Sequence, residues 1–188
     1  SVQTEQQVNL GEGVSRARAQ MVFAISRSEL RQLVIEVPAD QKVVNVFDAN
    51  VRQWSVEQAG PVQKITAQLF EPAKATQNVT VELEKYSEEK ASGKFLVPVV
   101  KAAGAGVGRQ QGVVVVRLSE GLRGEVARSS GLLQVDAAEL PASLAKGQWP
   151  FAYRYAAVPF ELELNVEKVQ PHVLVDSLVE AELQPERL

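Results

Sequence analysis

The chain is built from short segments in which apolar and polar residues alternate, and helical periodicity is nearly absent. Leu33-Val34-Ile35-Glu36-Val37, Ile65-Thr66-Ala67-Gln68-Leu69, Val79-Thr80-Val81-Glu82-Leu83-Glu84 and the run from Phe160 to Glu167 all carry the pattern. Side chains of a strand point to opposite faces with period two, so each segment offers one face to a core and one to water. The pattern predicts an all-β, antiparallel β-sandwich, either enlarged or made of two abutting sandwiches, with at most one short helix.

Strands are expected at about 16–26, 32–37, 43–47, 51–57, 63–71 and 79–85. Pro38-Ala39-Asp40, Gly60-Pro61, and Pro72 with Asn78 supply the turn signals between them. After the charged loop 87–93 come the apolar run Phe95 to Val100 and the glycine-rich 103–108, which reads as a loop. Val113-Val114-Val115-Val116 predicts a strand covered on both faces, hence a central one. Short strands are expected at 122–128 and 131–135, and longer ones at 151–157, 160–168 and 172–183. The one helix candidate is 136–145, with Asp136 to cap it, Gly147 to stop it and Pro141 limiting it to one or two turns. Residues 1–13 are polar, end in Gly11-Glu12-Gly13, and read as a flexible entry. Residues 14–188 read as a single all-β domain, with 101–111 the one stretch where it could divide.

Composition narrows the function classes. At 188 residues, with 45% hydrophobic and 23% charged residues, the chain can bury a core without a metal or disulfide staple. The net charge of −3 with interspersed signs lacks the basic stripe of a nucleic-acid surface. The absence of cysteine excludes a disulfide framework, a zinc–thiolate site and a cysteine nucleophile within this chain. No apolar run approaches the roughly 20 residues that span a bilayer as a helix. No signal peptide is legible at the start, and the end reads as strand and turn. The expectation is therefore a piece of a longer protein.

Candidate chemistry is sparse. Gly104-Ala105-Gly106-Val107-Gly108 places its third glycine one residue early for a dinucleotide fingerprint, and a valine strand follows where a helix is required. His172 is the sole histidine, at the start of a strand, with no G-x-S-x-G elbow elsewhere. Glu161, Glu163 and Glu167, like Glu82 and Glu84, lie on alternating strands. Acids at i and i+2 of a strand fall roughly 6.6 Å apart whatever their role, so their spacing does not point to glycoside hydrolysis. Trp54 is expected to share a face with Val56, opposite Val51 and Gln53, if 51–57 is regular. Trp149, Phe151, Tyr153 and Tyr155 alternate and are expected to line one face of a strand. Open to solvent, Trp149, Tyr153 and Tyr155 would stack on sugar rings. Closed, they form a core stripe, the reading favoured by the size of aromatic side chains.

The order of strands over 21–84, with Pro38 closing one strand and Trp54 following about sixteen positions on, resembles β-sandwich modules in the extracytoplasmic parts of large, uncharacterised bacterial envelope proteins. The resemblance covers roughly a third of the chain. It implies an envelope setting, in the periplasm or cell envelope, and a binding or scaffolding role, and it transfers no functional residue. The resulting expectation is a non-catalytic structural or protein-interaction module of a larger envelope protein. Its partners would be other domains of the same polypeptide or other envelope proteins, with no cofactor, no metal and no nucleic acid. The alternatives are a carbohydrate-binding sandwich using the aromatic row, and a hydrolase working with carboxylates alone.

Overall fold

The structure, a computed structural model, describes residues 1–87, 93–170 and 177–179. The expected strand 172–183 and His172 therefore lie outside the described residues, apart from 177–179. Fourteen strands are present among the described residues: β1 Val2–Leu10, β2 Val14–Ala24, β3 Leu30–Pro38, β4 Lys42–Phe47, β5 Val51–Ala59, β6 Val62–Ala73 and β7 Thr76–Tyr86 in the first half. The second half holds β8 Gly93–Leu96, β9 Lys101–Ala103, β10 Gln110–Leu118, β11 Leu122–Ser130, β12 Leu133–Gln134, β13 Phe151–Tyr155 and β14 Glu161–Lys168. The fold is all-β, as the alternation predicts.

One seven-stranded sheet, in the order β12-β13-β10-β1-β2-β7-β4, forms one layer. A four-stranded sheet (β5-β6-β3-β9) and a three-stranded sheet (β11-β14-β8) supply the other inner faces. A single core cluster joins all three, drawing Val8 and Met21 from the large sheet, Ile35 and Ile65 from the second, and Leu162 and Leu164 from the third. The sandwich is thus enlarged by dividing one layer in two. Core residues come from both sides of 101–111, so the chain does not divide there.

Residues 1–13 are not a flexible entry. β1 lies inside the large sheet, antiparallel to β2 and parallel to β10. Val2, Thr4, Gln6, Val8 and Leu10 point inward and are buried, while Gln3, Glu5, Gln7 and Asn9 face outward. The alternation is present but disguised, because two of the five inward residues are polar. Their polarity is used: Gln6 Nε2 donates to the carbonyl of Pro98 at 2.6 Å, and Gln110 Nε2 donates to Thr4 Oγ1 at 3.1 Å and to the carbonyl of Val100 at 2.8 Å. Gln110 Oε1 in turn accepts from the backbone N–H of Ala102. Buried amides thereby satisfy the Pro98 and Val100 carbonyls and the Ala102 N–H, on the segment that leaves β8 in the three-stranded sheet and enters β9 in the four-stranded one; residues 97–100 between them belong to no strand. The same crossing ends β8 at Leu96.

Two further differences have local causes. β6 runs through Pro72 to Ala73, and the turn falls at Lys74-Ala75. In β5 a bulge between Val51 and Gln53 pairs Val51 with Leu69 and Trp54 with Ala67, two residues of the same inward face. The extra residue resets the parity, so Val51 and Trp54 both pack on the core and do not lie on opposite faces.

The valine strand β10 is central and covered on both sides. Val114 and Val116 enter the main core, and Val113 and Val115 enter a second cluster on the outer face with Val135, Leu140, Leu144 and Ala152. The cover is the expected helical stretch, shortened to a 3-10 turn at Ala137–Glu139 and an α-turn at Ala142–Ala145 that starts after Pro141. Asp136 N donates to Glu139 Oε2 at 3.1 Å, and Gly147 N closes the end on the Leu144 carbonyl.

Candidate functional site

The aromatic row takes its closed form, a core stripe, and without Trp149. Phe151, Tyr153 and Tyr155 sit on β13 with their rings in the main core, Tyr153 being 9% and Tyr155 2% exposed. Trp149 precedes the strand, and after Pro150 it falls on the opposite side of the sheet, in the outer cluster. Its indole N–H donates to the Leu144 carbonyl at 2.8 Å, and the Arg117 guanidinium lies 5.0 Å from its ring centre. The ring rests on Gly147, where a Cβ would meet it at 2.4 Å. Trp149, Tyr153 and Tyr155 therefore offer no shared platform for a sugar. Each is a packing residue: Tyr155 stacks on Phe160 at 4.7 Å, and Trp149 clamps the helical cover.

Burial acts on the tyrosine hydroxyls. Desolvation raises the pKa of both Tyr153 and Tyr155 above 10.0, and for Tyr155 the side chains of Thr4 and Gln110 pull weakly the other way. The geometry leaves the Tyr155 hydroxyl without a hydrogen-bond partner of its own, so desolvation dominates. An unfolded tyrosine ionises near pH 10, whereas the folded ones ionise only above it. The stability held by these neutral hydroxyls is complete below pH 10 and is lost as pH rises through that value. The urea midpoint is expected to be level up to about pH 9.5 and then to fall. The Tyr155→Phe variant is expected to show a shallower fall, read against tyrosinate absorbance. An identical decline in wild type and variant would refute the assignment.

The carboxylates are equally occupied. On the outer face of the three-stranded sheet, Glu161 pairs with Arg128 at 3.2 Å, Glu163 with Lys94 at 3.7 Å and Glu167 with Arg123. On the large sheet, Glu84 pairs with Arg16 at 3.1 Å and Glu82 with Arg18 at 3.6 Å. The Glu84 carboxyl also accepts from the Tyr86 hydroxyl, which together with Arg16 holds its pKa below 4.5. These acids are ion-paired on exposed sheet faces, whereas Phe151, Tyr153 and Tyr155 pack in the core, so among the described residues the two sets do not converge. Among the described residues no group of three potential metal ligands occurs, and no helix is long and apolar enough to cross a membrane. The glycine-rich 104–108 is a connection between β9 and β10, with Gly104 and Gly106 at positive φ.

One concave site carries two arginines outside every ion pair among the described residues: a cleft of about 660 Å³ beside β12, lined by Gln3, Arg109, Gln111, Leu133 and Arg154 among others. No carboxylate lines it. Sequence reasoning missed it because Arg109 and Arg154 lie far apart along the chain and meet only through the pairing of β10 with β13.

No family model matches the chain, and no curated protein matches it. Among solved structures it aligns with an M1 zinc metallopeptidase from Deinococcus radiodurans at 10% identity and a TM-score of 0.47, over 87% of this chain and 41% of that one. A second alignment is with native yeast LTA4 hydrolase, at 8% identity and a TM-score of 0.40, over 86% and 28%. The chain thus spans less than half the length of either protein. At such identities the likeness concerns strand arrangement alone and says nothing of activity.

Proposed function

We propose that this chain is a non-catalytic structural or protein-interaction module of a larger bacterial envelope protein. The observation that carries the reading is the edge strand β5. It spans nine residues, pairs among the described residues only with β6, and is exposed along nearly its whole length. Its middle, Gln53-Trp54-Ser55-Val56, bears no charge. Exposed edges are commonly blunted by charge, proline, short length or a bulge; β5 carries its bulge and Arg52 at its start and Glu57 further on, and the stretch Trp54 to Val56 between them has none of these. An edge left open in this way suits pairing with an extended partner segment, whose backbone adds a strand to the sheet. The envelope setting follows from the resemblance of the 21–84 region. Ion-paired acids and buried aromatics support the absence of catalysis.

A photoreactive residue at Ser55 tests the proposal in cells. The expected result is one dominant adduct with an envelope-fraction protein, absent when the probe stands at Thr80 on the sheet face. The adduct should disappear in the Gln53→Lys, Val56→Lys double variant. Equal labelling at both positions would remove the edge as the contact, and a partner confined to the cytosol would remove the envelope assignment. Turnover of glycoside substrates by wild type but not by Glu163→Gln would overturn the non-catalytic reading.

A further inference from the structure

The cleft beside β12 is the strongest unassigned feature of the molecule. Nine ion pairs join lysines and arginines to acids among the described residues, and none includes Arg109 or Arg154. Arg154 makes a single long hydrogen bond, from Nη2 to the Glu139 carbonyl at 3.3 Å, which leaves most of its fork unused. The acids nearest along the chain and sheet, Glu139 and Glu5, accept from neutral donors (the Asp136 N–H and the Ser143 hydroxyl) and pair with neither arginine. The lining of the cleft thus holds two arginines and no acid.

Strand register fixes their spacing. Val113 pairs with Arg154 across β10 and β13, and Arg109 stands four residues before Val113 on the same outward parity. The two arginines are thus separated by roughly 13 Å along the sheet. That is the spacing of side chains at i and i+4 in an extended peptide. Gln3 and Gln111, directly paired across β1 and β10, offer hydrogen-bonding amides between them. Leu133, 66% exposed and paired with Arg154, supplies an apolar contact at one end. The opposite neighbour of β13 is only two residues long, so the strand edge beyond Leu133 is open.

We propose that this cleft binds an extended acidic peptide segment of a partner protein, with carboxylates four residues apart seated on Arg109 and Arg154 and an apolar side chain against Leu133. Arginine forks suit paired carboxylates, and an i, i+4 spacing selects an extended ligand over a compact anion. This surface is separate from β5, so its failure leaves the edge-strand reading standing.

The test uses a fluorescein-labelled hexapeptide of alternating glutamate and leucine, its glutamine–leucine counterpart, and sodium citrate as a compact anion. Wild type is expected to bind the glutamate peptide at least about tenfold more tightly than the glutamine peptide, with affinity falling as salt rises. The Arg109→Gln, Arg154→Gln double variant is expected to lose at least about tenfold, whereas Lys74→Gln, exposed at the turn between β6 and β7, loses nothing. Arg109→Gln alone, at an exposed position without a side-chain partner, reports the same loss in part should the double variant fail to fold. Equal affinity for both peptides, or unchanged affinity in the variants, would overturn the proposal. So would citrate displacing the peptide at equal concentration, because a compact anion would then account for the site.

Discussion

Deleting residues 1–10 is expected to abolish the cooperative unfolding transition of this protein. β1 sits between β2 and β10, so its removal leaves two inner strands with open edges and splits the seven-stranded sheet. Val2, Val8 and Leu10 are buried, and each fully buried side chain of this kind contributes about 1.5–3 kcal/mol. The inward amide of Gln6 is lost as well, leaving the Pro98 carbonyl buried without its donor. Those losses together approach the whole stability of an ordinary domain, about 5–15 kcal/mol. Urea unfolding followed by tryptophan fluorescence checks this. A truncated chain that still unfolds in one sharp step near the wild-type midpoint would contradict the placement of β1.

Gly112→Ala is expected to be the most damaging single methyl group that can be added to the chain. A Cβ at Gly112 would lie 2.0 Å from the carbonyl oxygen of Thr4 and 2.8 Å from its carbon, both backbone atoms. A side chain in the way can rotate, but a strand in the middle of a sheet cannot yield without breaking its ladder. Overpacking in a core costs about 1–3 kcal/mol and occasionally more, and here the upper end or beyond is expected. Gly108→Ala is the matched control, since nothing lies within 4 Å of its Cβ position and its φ is ordinary. Its effect is expected to be within about 0.5 kcal/mol of zero. Similar thermal midpoints for the two variants would mean that β1 and β10 do not approach as closely as described.

The alternation of small segments carries most of the fold. β2, β3, β6, β7 and β14 follow from inward Ala17, Ile35, Ile65, Val81 and Leu164 spaced by two, with polar residues between. The central place of β10 follows from its four valines, because only a doubly covered strand has use for apolar residues on both faces. Where the reading failed, one residue changed the count. The bulge at Val51 moved Trp54 to the face of Val51, and Pro150 moved Trp149 off the face of Tyr153. β1 was hidden for a different reason: Gln6 and Thr4 look solvent-facing until their distant partners are known, the Pro98 carbonyl that Gln6 donates to and the Gln110 amide that Thr4 accepts from. The arginine cleft was invisible for the same reason, since nothing local links Arg109 to Arg154.

The parallel pairing of β1 with β10 also constrains how the chain reaches this structure. β1 meets β2 through a short hairpin, but its other neighbour stands more than 100 residues later, with Val2 opposite Gln110. A contact so distant in sequence is slow to form, because the loop must close before the contact can reward it. During synthesis the free edge of β1 has to persist while seven strands are made, exposing the pairing surface that later receives β10. The folding rate should therefore be set by this closure, and helpers that shield open strand edges would act most strongly on chains that end before residue 110.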